Sequence, residues 1–282
     1  TGVIYLGYRN NTGGVLEVSS LTGSGQIYLS AASDSHQGDR GTIEIQSAAG
    51  TTAAFDGLIK TSAKSTMPED QLLNLVKKGE GTQILSRSTG HLFKGGTTIE
   101  QGVLAVDNTS GSGLGQGAVE VKTGGTLAGS GRLAQAEAVL VRNGGVLAPS
   151  AHLDSGVTTV TLDGTEILSG EILHFEEGAR LSLQFSAGDE SDRIAFTNYK
   201  AGGLKLADAG IALDGRGVQE GSFTLLSFDT IDNVELEEIM SALRVGDGFA
   251  GFNATFGVGV NAVTLEVTAV PEPTTLALGA LG

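Results

Sequence analysis

The sequence has no cysteine and no tryptophan, and only four of its 282 residues are proline. The absence of cysteine excludes disulfide bridges and thiolate metal sites. So few prolines exclude a collagen-like chain and a proline-rich linker. Aromatic residues make up 5% of the chain and hydrophobic residues 40%. Any core must therefore be mainly aliphatic.

Positive charge is scarce as well. Seventeen Lys and Arg stand against 32 Asp and Glu, which gives a formal net charge of −15. Nucleic-acid binding requires a basic face, so no nucleic-acid partner is expected. The first residues, TGVIYLGYRN, carry no Met, no basic region and no apolar run, and thus no visible signal peptide. We expect the chain to be part of a longer one.

Glycine is the abundant residue, with 44 of 282 positions against an average usage of roughly 7%. Short runs of alternating apolar residues lie between the glycines, for example Val119 and Val121, Val139 and Val141, and Val160 and Leu162. Alternation with period two places each run on one face of a strand. Many short strands separated by glycine turns predict an all-β protein.

The glycine pairs repeat at a fixed interval. Gly124-Gly125 in KTGGTLAGS is followed 20 residues later by Gly144-Gly145 in RNGGVLAPS. A period near 20 is typical of one coil of a solenoid, in which coils stack about 4.8 Å apart. One coil cannot bury its apolar face alone, so its neighbours must cover it. The sequence therefore predicts a β-solenoid over residues 1–215.

Two segments depart from the alternation. MPEDQLLNLVKK, with Pro68 in its first turn, predicts a short helix over residues 67–78. In DNVELEEIMSALRVGDG, apolar residues recur at helical spacing after Asp232 or Asn233 as a cap: Leu236, Ile239, Met240 and Leu243. We predict a helix near 234–243, within a C-terminal β cap that spans residues 216–268.

Residues 73–106 combine paired glycines, threonines and leucines: Gly79, Gly81, Thr82, Ile84, Leu85, Gly95, Gly96, Thr97, Thr98, Gly102 and Leu104. This pattern resembles the autotransporter-associated β-strand repeat, which begins with lysine, a small residue and glycine. Leu92-Phe93-Lys94 depart from it, since the repeat prefers a tyrosine–threonine pair there. The resemblance implies a right-handed parallel β-helix on exported surface proteins of Gram-negative bacteria, where the repeat assists passenger transport.

The C-terminal segment 269–282 contains Val270, Pro271, Glu272 and Pro273, followed by two threonines and an apolar run. This order resembles the start of a PEP-CTERM sorting signal and implies an exosortase-type sorting enzyme as partner. The apolar run, 276–282, is shorter than the roughly 20 residues that span a bilayer. Either the chain is truncated, in which case the membrane contact comes only from a missing C-terminal helix, or the signal is degenerate; we expect truncation.

The loop SDSHQGDRG holds the strongest candidate for catalysis: Asp34, His36, Asp39 and Arg40. Carbohydrate-active enzymes use paired carboxylates roughly 5–10 Å apart as acid and base. Aspartate and glycine are also the residues that build polar turns, and we interpret this segment as a solvated loop. We therefore assign no catalytic residue. The glycine-rich stretch 108–117 is interpreted as a corner, not a nucleotide loop, because it lacks Lys-Ser/Thr.

Metal and cofactor sites are not predicted. The four histidines share no ligand spacing, so they are expected to be scattered surface or coil-face imidazoles: His36, His91, His152 and His174. Acidic residues cluster between Glu166 and Asp192, where calcium binding is one interpretation and a solvated face the favoured one.

Three functions fit these patterns. The first is a non-enzymatic, exported, structural or adhesin-like β-helix at the cell surface, the outer membrane or the extracellular matrix. The second is a polysaccharide lyase or hydrolase that uses residues 34–40. The third is a glycan-binding module, in which Tyr5, Tyr8 and Tyr28 stack on sugars. Surface glycans or extracellular polysaccharide are possible partners.

Overall fold

A computed structural model describes residues 2–6, 13–30, 40–62, 71–135, 137–153, 156–168 and 170–271. The first ten strands are β1 Val3–Tyr5, β2 Gly14–Val18, β3 Gln26–Ser30, β4 Arg40–Gln46, β5 Thr52–Phe55, β6 Leu58–Ser62, β7 Leu72–Lys78, β8 Thr82–Leu85, β9 Thr97–Ile99 and β10 Gly102–Val106. The next ten are β11 Val119–Val121, β12 Gly125–Ala128, β13 Arg132–Leu133, β14 Val139–Val141, β15 Val146–Leu147, β16 Thr159–Asp163, β17 Leu173–Phe175, β18 Arg180–Ser186, β19 Glu190–Ser191 and β20 Arg193–Thr197. The chain continues with β21 Leu204–Lys205, β22 Ile211–Arg216, β23 Gly221–Phe228, helix α1 Asn233–Ala242, β24 Leu243–Val245, β25 Phe252–Gly259 and β26 Ala262–Ala269.

The strands form the three faces of a parallel β-helix. The first face is an eight-stranded sheet in the order β2-β4-β7-β9-β11-β14-β17-β21. The second face runs β5-β8-β10-β12-β15-β18-β22-β24, with β19 paired to β18. The third face has two sheets, β1-β3-β6 and β13-β16-β20-β23-β26-β25. Because each coil crosses the faces in turn, sequence neighbours lie on different sheets.

Backbone hydrogen bonds join the two sheets of the third face. Leu92 N donates to Ile59 O at 2.9 Å, and His91 N donates to Ser112 O at 2.9 Å. Gly113 N then donates to Arg132 O at 2.9 Å. The glycine-rich stretch 108–117, which contains Ser112 and Gly113, therefore crosses the third face between β10 and β11.

Coil length varies along the helix. Val119 aligns with Val139 one coil later, after 20 residues, whereas Val139 aligns with Leu173 after 34 residues. The predicted period of 20 is confirmed for the coils that carry the two glycine pairs. Other coils are longer because loops are inserted at the corners, where added length does not disturb the stacked strands.

The core is a column of inward side chains along the helix axis. Val119, Val139 and Leu162, which alternation places inside, are 0%, 1% and 1% exposed. Most of the core is aliphatic, as the composition predicts. Aromatic rings gather towards the C-terminal end, where Phe185 packs edge-on against Phe223 with ring centroids 4.9 Å apart.

The C-terminal end departs from parallel stacking. Helix α1 follows β23 of the third face and precedes β24 of the second, so it occupies the place of the next first-face strand. Asp232 caps it by accepting a hydrogen bond from Glu235 N, and Leu236 and Ile239 are buried. Strand β26 pairs antiparallel with β23 and β25. The helix predicted near 234–243 is confirmed; over the described ranges, no helix is long and apolar enough to cross a membrane.

The helix predicted over residues 67–78 is wrong for residues 72–78, and residues 67–70 lie outside the described ranges. Residues 72–78 form strand β7, whose side chains alternate between the interior and the outer face. Parallel neighbours β4 and β9 hydrogen-bond to its two edges. The clustered leucines favour a helix locally, but strand pairing prevails because it gives hydrogen-bond partners to the backbone N–H and C=O groups on both edges of β7.

Candidate functional site

Three glycines of the motif lie at the corner between the first and second faces, Gly79, Gly81 and Gly102, whereas Gly95 and Gly96 lie just before the first-face strand β9. Gly79 and Gly102 have φ angles of +72° and +69°. A Cβ atom on Gly102 would lie 2.4 Å from Gly79 O, and one on Gly79 would lie 2.3 Å from Ser47 O. Successive coils therefore approach too closely here for any side chain. The same holds for Gly81, whose Cβ would lie 2.2 Å from Ala48 O.

The other motif residues have structural positions too. A Cβ on Gly95 would lie 2.2 Å from Leu73 O, whereas Gly96 has more space. Leu85, Thr97 and Leu104 are buried in the core. Thr82 and Thr98 are partly exposed on the outer faces. The motif thus builds a corner and two stacked strands, and brings no reactive groups together.

Lys77 is the polar centre of this corner. It is not among the motif residues named from the sequence. It is 0% exposed and stands in an inward column between Ile45 and Ile99. Its Nζ donates to Lys78 O at 2.9 Å, Gly79 O at 2.7 Å and Gln101 O at 3.1 Å. Burial lowers the pKa of Lys77 to about 8. The signal in the sequence is that Lys77 stands two residues before Gly79, where the repeat that this segment resembles has a lysine.

Gln83 has a similar role in the second face. It is fully buried in the same inward column as Leu104. Its Oε1 accepts from Leu21 N at 2.9 Å, and its Nε2 donates to Leu21 O at 3.0 Å and Ala53 O at 3.2 Å. The amide therefore ties three coils together. Sequence reasoning missed it, because its partners are 30 and 62 residues away.

The acidic cluster between Glu166 and Asp192 is not uniformly a solvated face. Asp192 is fully buried at the corner between the second and third faces. Its carboxylate accepts from Thr158 N at 2.8 Å, Gln184 N at 2.9 Å and Ser150 Oγ at 2.7 Å. Arg216 Nη2 lies 3.5 Å from Asp192 Oδ2 and donates a hydrogen bond to Ser150 Oγ at 2.7 Å. The prediction of a solvated residue is wrong for Asp192, since backbone donors surround it.

Asp107 joins two further coils at the same corner. Its Oδ1 accepts from Ser130 N at 2.9 Å and Ser130 Oγ at 3.0 Å, and its Oδ2 lies 3.3 Å from His152 Nε2. Burial raises the pKa of Asp107, but the contacts with His152 and Ser130 outweigh it and lower the pKa overall. The serine bonds to the aspartate and not to the histidine. The three side chains therefore do not have the order of a nucleophilic triad.

His91 is buried, so it does not lie at the surface, which is one of the two positions predicted for the histidines. It is 2% exposed, and its Nδ1 accepts a hydrogen bond from Ile59 N at 3.2 Å. Burial, together with the charge of Arg87, lowers the pKa of His91 to about 3. His174 is half-buried, the side chain of His152 is 3% exposed, and His36 lies outside the described residues.

We expect His91 to make the protein less stable in acid. The unfolded chain takes up a proton on this side chain near pH 6.5, whereas the folded chain does so only near pH 3. The contribution of neutral His91 to the free energy of unfolding is therefore fully present above pH 6.5. It falls as the pH drops towards 3, by roughly 2–3 kcal/mol between pH 6.5 and 4.5. His91→Gln keeps an acceptor for Ile59 N and should remove this dependence.

The measurement is urea unfolding of the wild type and His91→Gln at pH 7 and pH 4.5. The half-buried His174→Gln is the matched control and should retain the wild-type loss. Equal losses in the wild type and His91→Gln would contradict the assignment.

The outer side of the first face carries rows of opposite charges. Lys78 Nζ lies 2.8 Å from Glu44 Oε2, and Lys122 Nζ lies 3.6 Å from Glu100 Oε1. Arg142 contacts Glu120 at 2.7 Å and also Glu176. These pairs link successive coils but are partly exposed, so each contributes little to stability.

The candidate sugar-binding tyrosines are only partly described. Tyr5 and Tyr28 align in register on the third face, with ring centroids 5.6 Å apart and planes tilted by 23°. Tyr28 donates a hydrogen bond to Gln26 Oε1 at 2.7 Å. Tyr5 is 52% exposed. Tyr8 lies outside the described residues.

Two other predicted sites also fall largely outside the described ranges. Of the loop at 34–40, only Arg40 is described, as the exposed first residue of β4. Of the sorting motif, Val270 donates from its N to Gly251 O at 2.9 Å after the end of β26, and Pro271 is the last described residue. Glu272 and Pro273 lie beyond it.

A groove of about 860 Å³ lies between β21 and helix α1. Its apolar wall includes Leu204 and Ile239, and its polar rim includes Glu235 and Arg244. Glu235 accepts from Tyr199 Oη at 2.5 Å and Gly202 N at 2.8 Å, so its carboxylate holds the cap against β21. Burial raises the pKa of Tyr199.

Among the described residues, no three His, Asp or Glu side chains come together in a way that could hold a metal ion. No protein-family model and no curated protein matches the chain.

Proposed function

We propose that this chain is a non-enzymatic β-helix of an exported bacterial protein, with a structural or adhesin-like role. One observation carries the proposal: the buried polar side chains connect neighbouring coils. Lys77, Gln83, Asp107 and Asp192 each bond to atoms of other coils. Polar chemistry in the interior is used for stacking, which leaves the long outer faces as the working surface.

The outer faces support a binding role because they repeat at the strand spacing. Each coil presents its outward side chains about 4.8 Å from those of the next. A partner with its own repeat, such as a polysaccharide, can contact several coils at once, and several weak contacts then add up to useful affinity. Surface glycans or extracellular polysaccharide are therefore the proposed partners.

The test is a panel of purified polysaccharides assayed both for binding and for cleavage by the wild-type chain. We expect binding without release of reducing or unsaturated ends. Cleavage that is abolished by Asp34→Ala with Asp39→Ala would overturn the proposal in favour of a carbohydrate-active enzyme. No binding to any polysaccharide would leave the role structural and contradict the adhesive part.

A glycan-binding module is the second candidate, favoured by the Tyr5 and Tyr28 pair. Exposed aromatic rings contribute apolar contact area with a polar end, which suits sugars. We expect Tyr5→Ala with Tyr28→Ala to weaken binding to any polysaccharide found in the panel at least tenfold. Val260→Ala, at a side chain that is 95% exposed, is the control and should leave binding unchanged.

Export and sorting are proposed from the two resemblances. The repeat motif supports passage across the cell envelope, and residues 270–273 support processing by an exosortase-type enzyme. In a host that has this enzyme, the protein is expected at the cell surface. Replacing Pro271-Glu272-Pro273 by alanines should prevent its processing, and unchanged processing would contradict the assignment.

A further inference from the structure

The first face carries one outward column of side chains along its whole length, and its two ends differ in charge. At the N-terminal end, Glu17 aligns with Glu44, Glu44 with Val76, and Val76 with Thr98. We call these four positions, together with the four that continue them in register, the outer column: Glu17, Glu44, Val76, Thr98, Glu120, Leu140, His174 and Lys205. Glu17 is exposed, and Glu44 is partly exposed. The N-terminal half of the outer column therefore begins with two carboxylates.

The second half of the outer column ends in basic side chains. Glu120 aligns with Thr98 and with Leu140, Leu140 with His174, and His174 with Lys205. The side chain of Lys205 is 56% exposed and that of His174 is 26% exposed. Together the eight positions span about 34 Å at one strand spacing per coil.

This order is complementary to itself when it is reversed. A two-fold axis across the face, between Thr98 and Glu120, places Glu17 opposite Lys205 of a second copy and Glu44 opposite its His174. The same axis places Val76 opposite Leu140, both partly exposed apolar side chains. We propose that the first face binds a second copy of this chain in the antiparallel orientation.

A parallel arrangement is disfavoured by the same residues. It would place Glu17 against Glu17 and Lys205 against Lys205, and like charges that meet at an interface reduce affinity. The antiparallel contact is isologous, so each pair of residues occurs twice. The charge gradient of the outer column therefore selects both the partner and its orientation.

The neighbouring outward positions are compatible with this dimer. The axis sets Glu100 opposite Lys122, which is attractive, and Lys78 opposite Arg142, which is repulsive. Lys78 contacts Glu44 and Arg142 contacts Glu120 within their own chain, so both cations and both carboxylates are partly neutralised, and Glu17 and Lys205 carry most of the attraction. The repulsion is thus reduced, and the outer column determines the pairing.

The expected dimer is weak. A face about 34 Å long and roughly three side chains wide buries less than the about 800 Å² per partner of a standard interface. Lys205 is also shared with Glu171 of its own chain, 3.4 Å away. We therefore expect a dissociation constant of roughly 1–100 μM at low salt, which rises with ionic strength.

Sedimentation velocity over a range of protein concentrations tests this proposal. The wild type should dimerise reversibly, and Glu17→Lys or Lys205→Glu alone should weaken the dimer at least tenfold. Glu17→Lys combined with Lys205→Glu should restore it, because the charges are exchanged and not removed. Glu171→Gln should tighten the dimer, since Lys205 loses its competing partner.

Controls with the same charge changes exist elsewhere on the surface. Glu190→Lys and Lys200→Glu change exposed residues outside the first face and should leave the dimer unchanged. Unchanged thermal unfolding of each variant confirms that the fold is retained. A wild type that stays monomeric at 1 mM, or a dimer that the double exchange does not restore, would overturn the proposal. Neither result depends on polysaccharide binding.

Discussion

Replacing Asp192 by alanine is expected to lower the free energy of unfolding by about 4 kcal/mol. The carboxylate is fully buried and accepts hydrogen bonds from Thr158 N, Gln184 N and Ser150. Alanine leaves these donors without their acceptor and removes the carboxylate that lies 3.5 Å from the Arg216 guanidinium. Urea unfolding followed by circular dichroism measures the loss.

Two variants separate the causes of this loss. Asp192→Asn keeps the shape and one acceptor oxygen but removes the charge, so we expect an intermediate loss of about 2–3 kcal/mol. Glu190→Ala, two residues away and exposed, should change stability by less than about 0.5 kcal/mol. A loss below about 1 kcal/mol in Asp192→Ala would show that this corner does not hold the coils together.

Lys77→Met is expected to lower the free energy of unfolding by about 3 kcal/mol. Methionine fills the same apolar column, but it cannot donate to the carbonyls of Lys78, Gly79 and Gln101 that the ammonium now binds. These carbonyls lie at the corner where coils approach most closely. The fold should survive, since most of the side-chain volume is kept.

The adjacent Lys78 provides the matched control. Its side chain is 35% exposed and pairs with Glu44, so Lys78→Met should cost far less stability than Lys77→Met. The pH also distinguishes the two lysines. Because burial lowers the pKa of Lys77 to about 8 from 10.5, the unfolded chain holds the proton longer, and the stability from Lys77 rises between pH 8 and 10.5. Lys77→Met should lack this rise; equal losses in both variants would contradict the assignment.

The solenoid could be predicted because its signals are local. Alternating residues such as Val119 and Val121 indicate strands, and the recurring Gly124-Gly125 pair indicates coils. The helix at 233–242 follows from apolar spacing and a cap. The segment 67–78 was not predictable in this way, since its leucines fit a helix locally and only the pairing with β4 and β9 makes residues 72–78 a strand.

The buried polar residues could not be predicted from local pattern. Lys77 and Asp192 look like surface residues in the sequence, because charged side chains are seldom buried without partners. Their partners come from other coils, and 42 residues separate Asp192 from Ser150. Only the stacked coils show which backbone groups a side chain can reach. The glycines at 79, 81 and 102 stand out in the sequence, but their role in the corner follows only from the close backbone contacts.

The most direct test of the account is the distance between coils along the outer column. The chain has no cysteine, so pairs of spin labels can be introduced at Glu17 and at one of Leu140, His174 or Lys205, with excess unlabelled protein added. Parallel stacking predicts distances of about 24, 29 and 34 Å, with equal steps of one strand spacing although the intervening coils differ in length. Steps that are unequal or that reverse would contradict a stack of parallel coils.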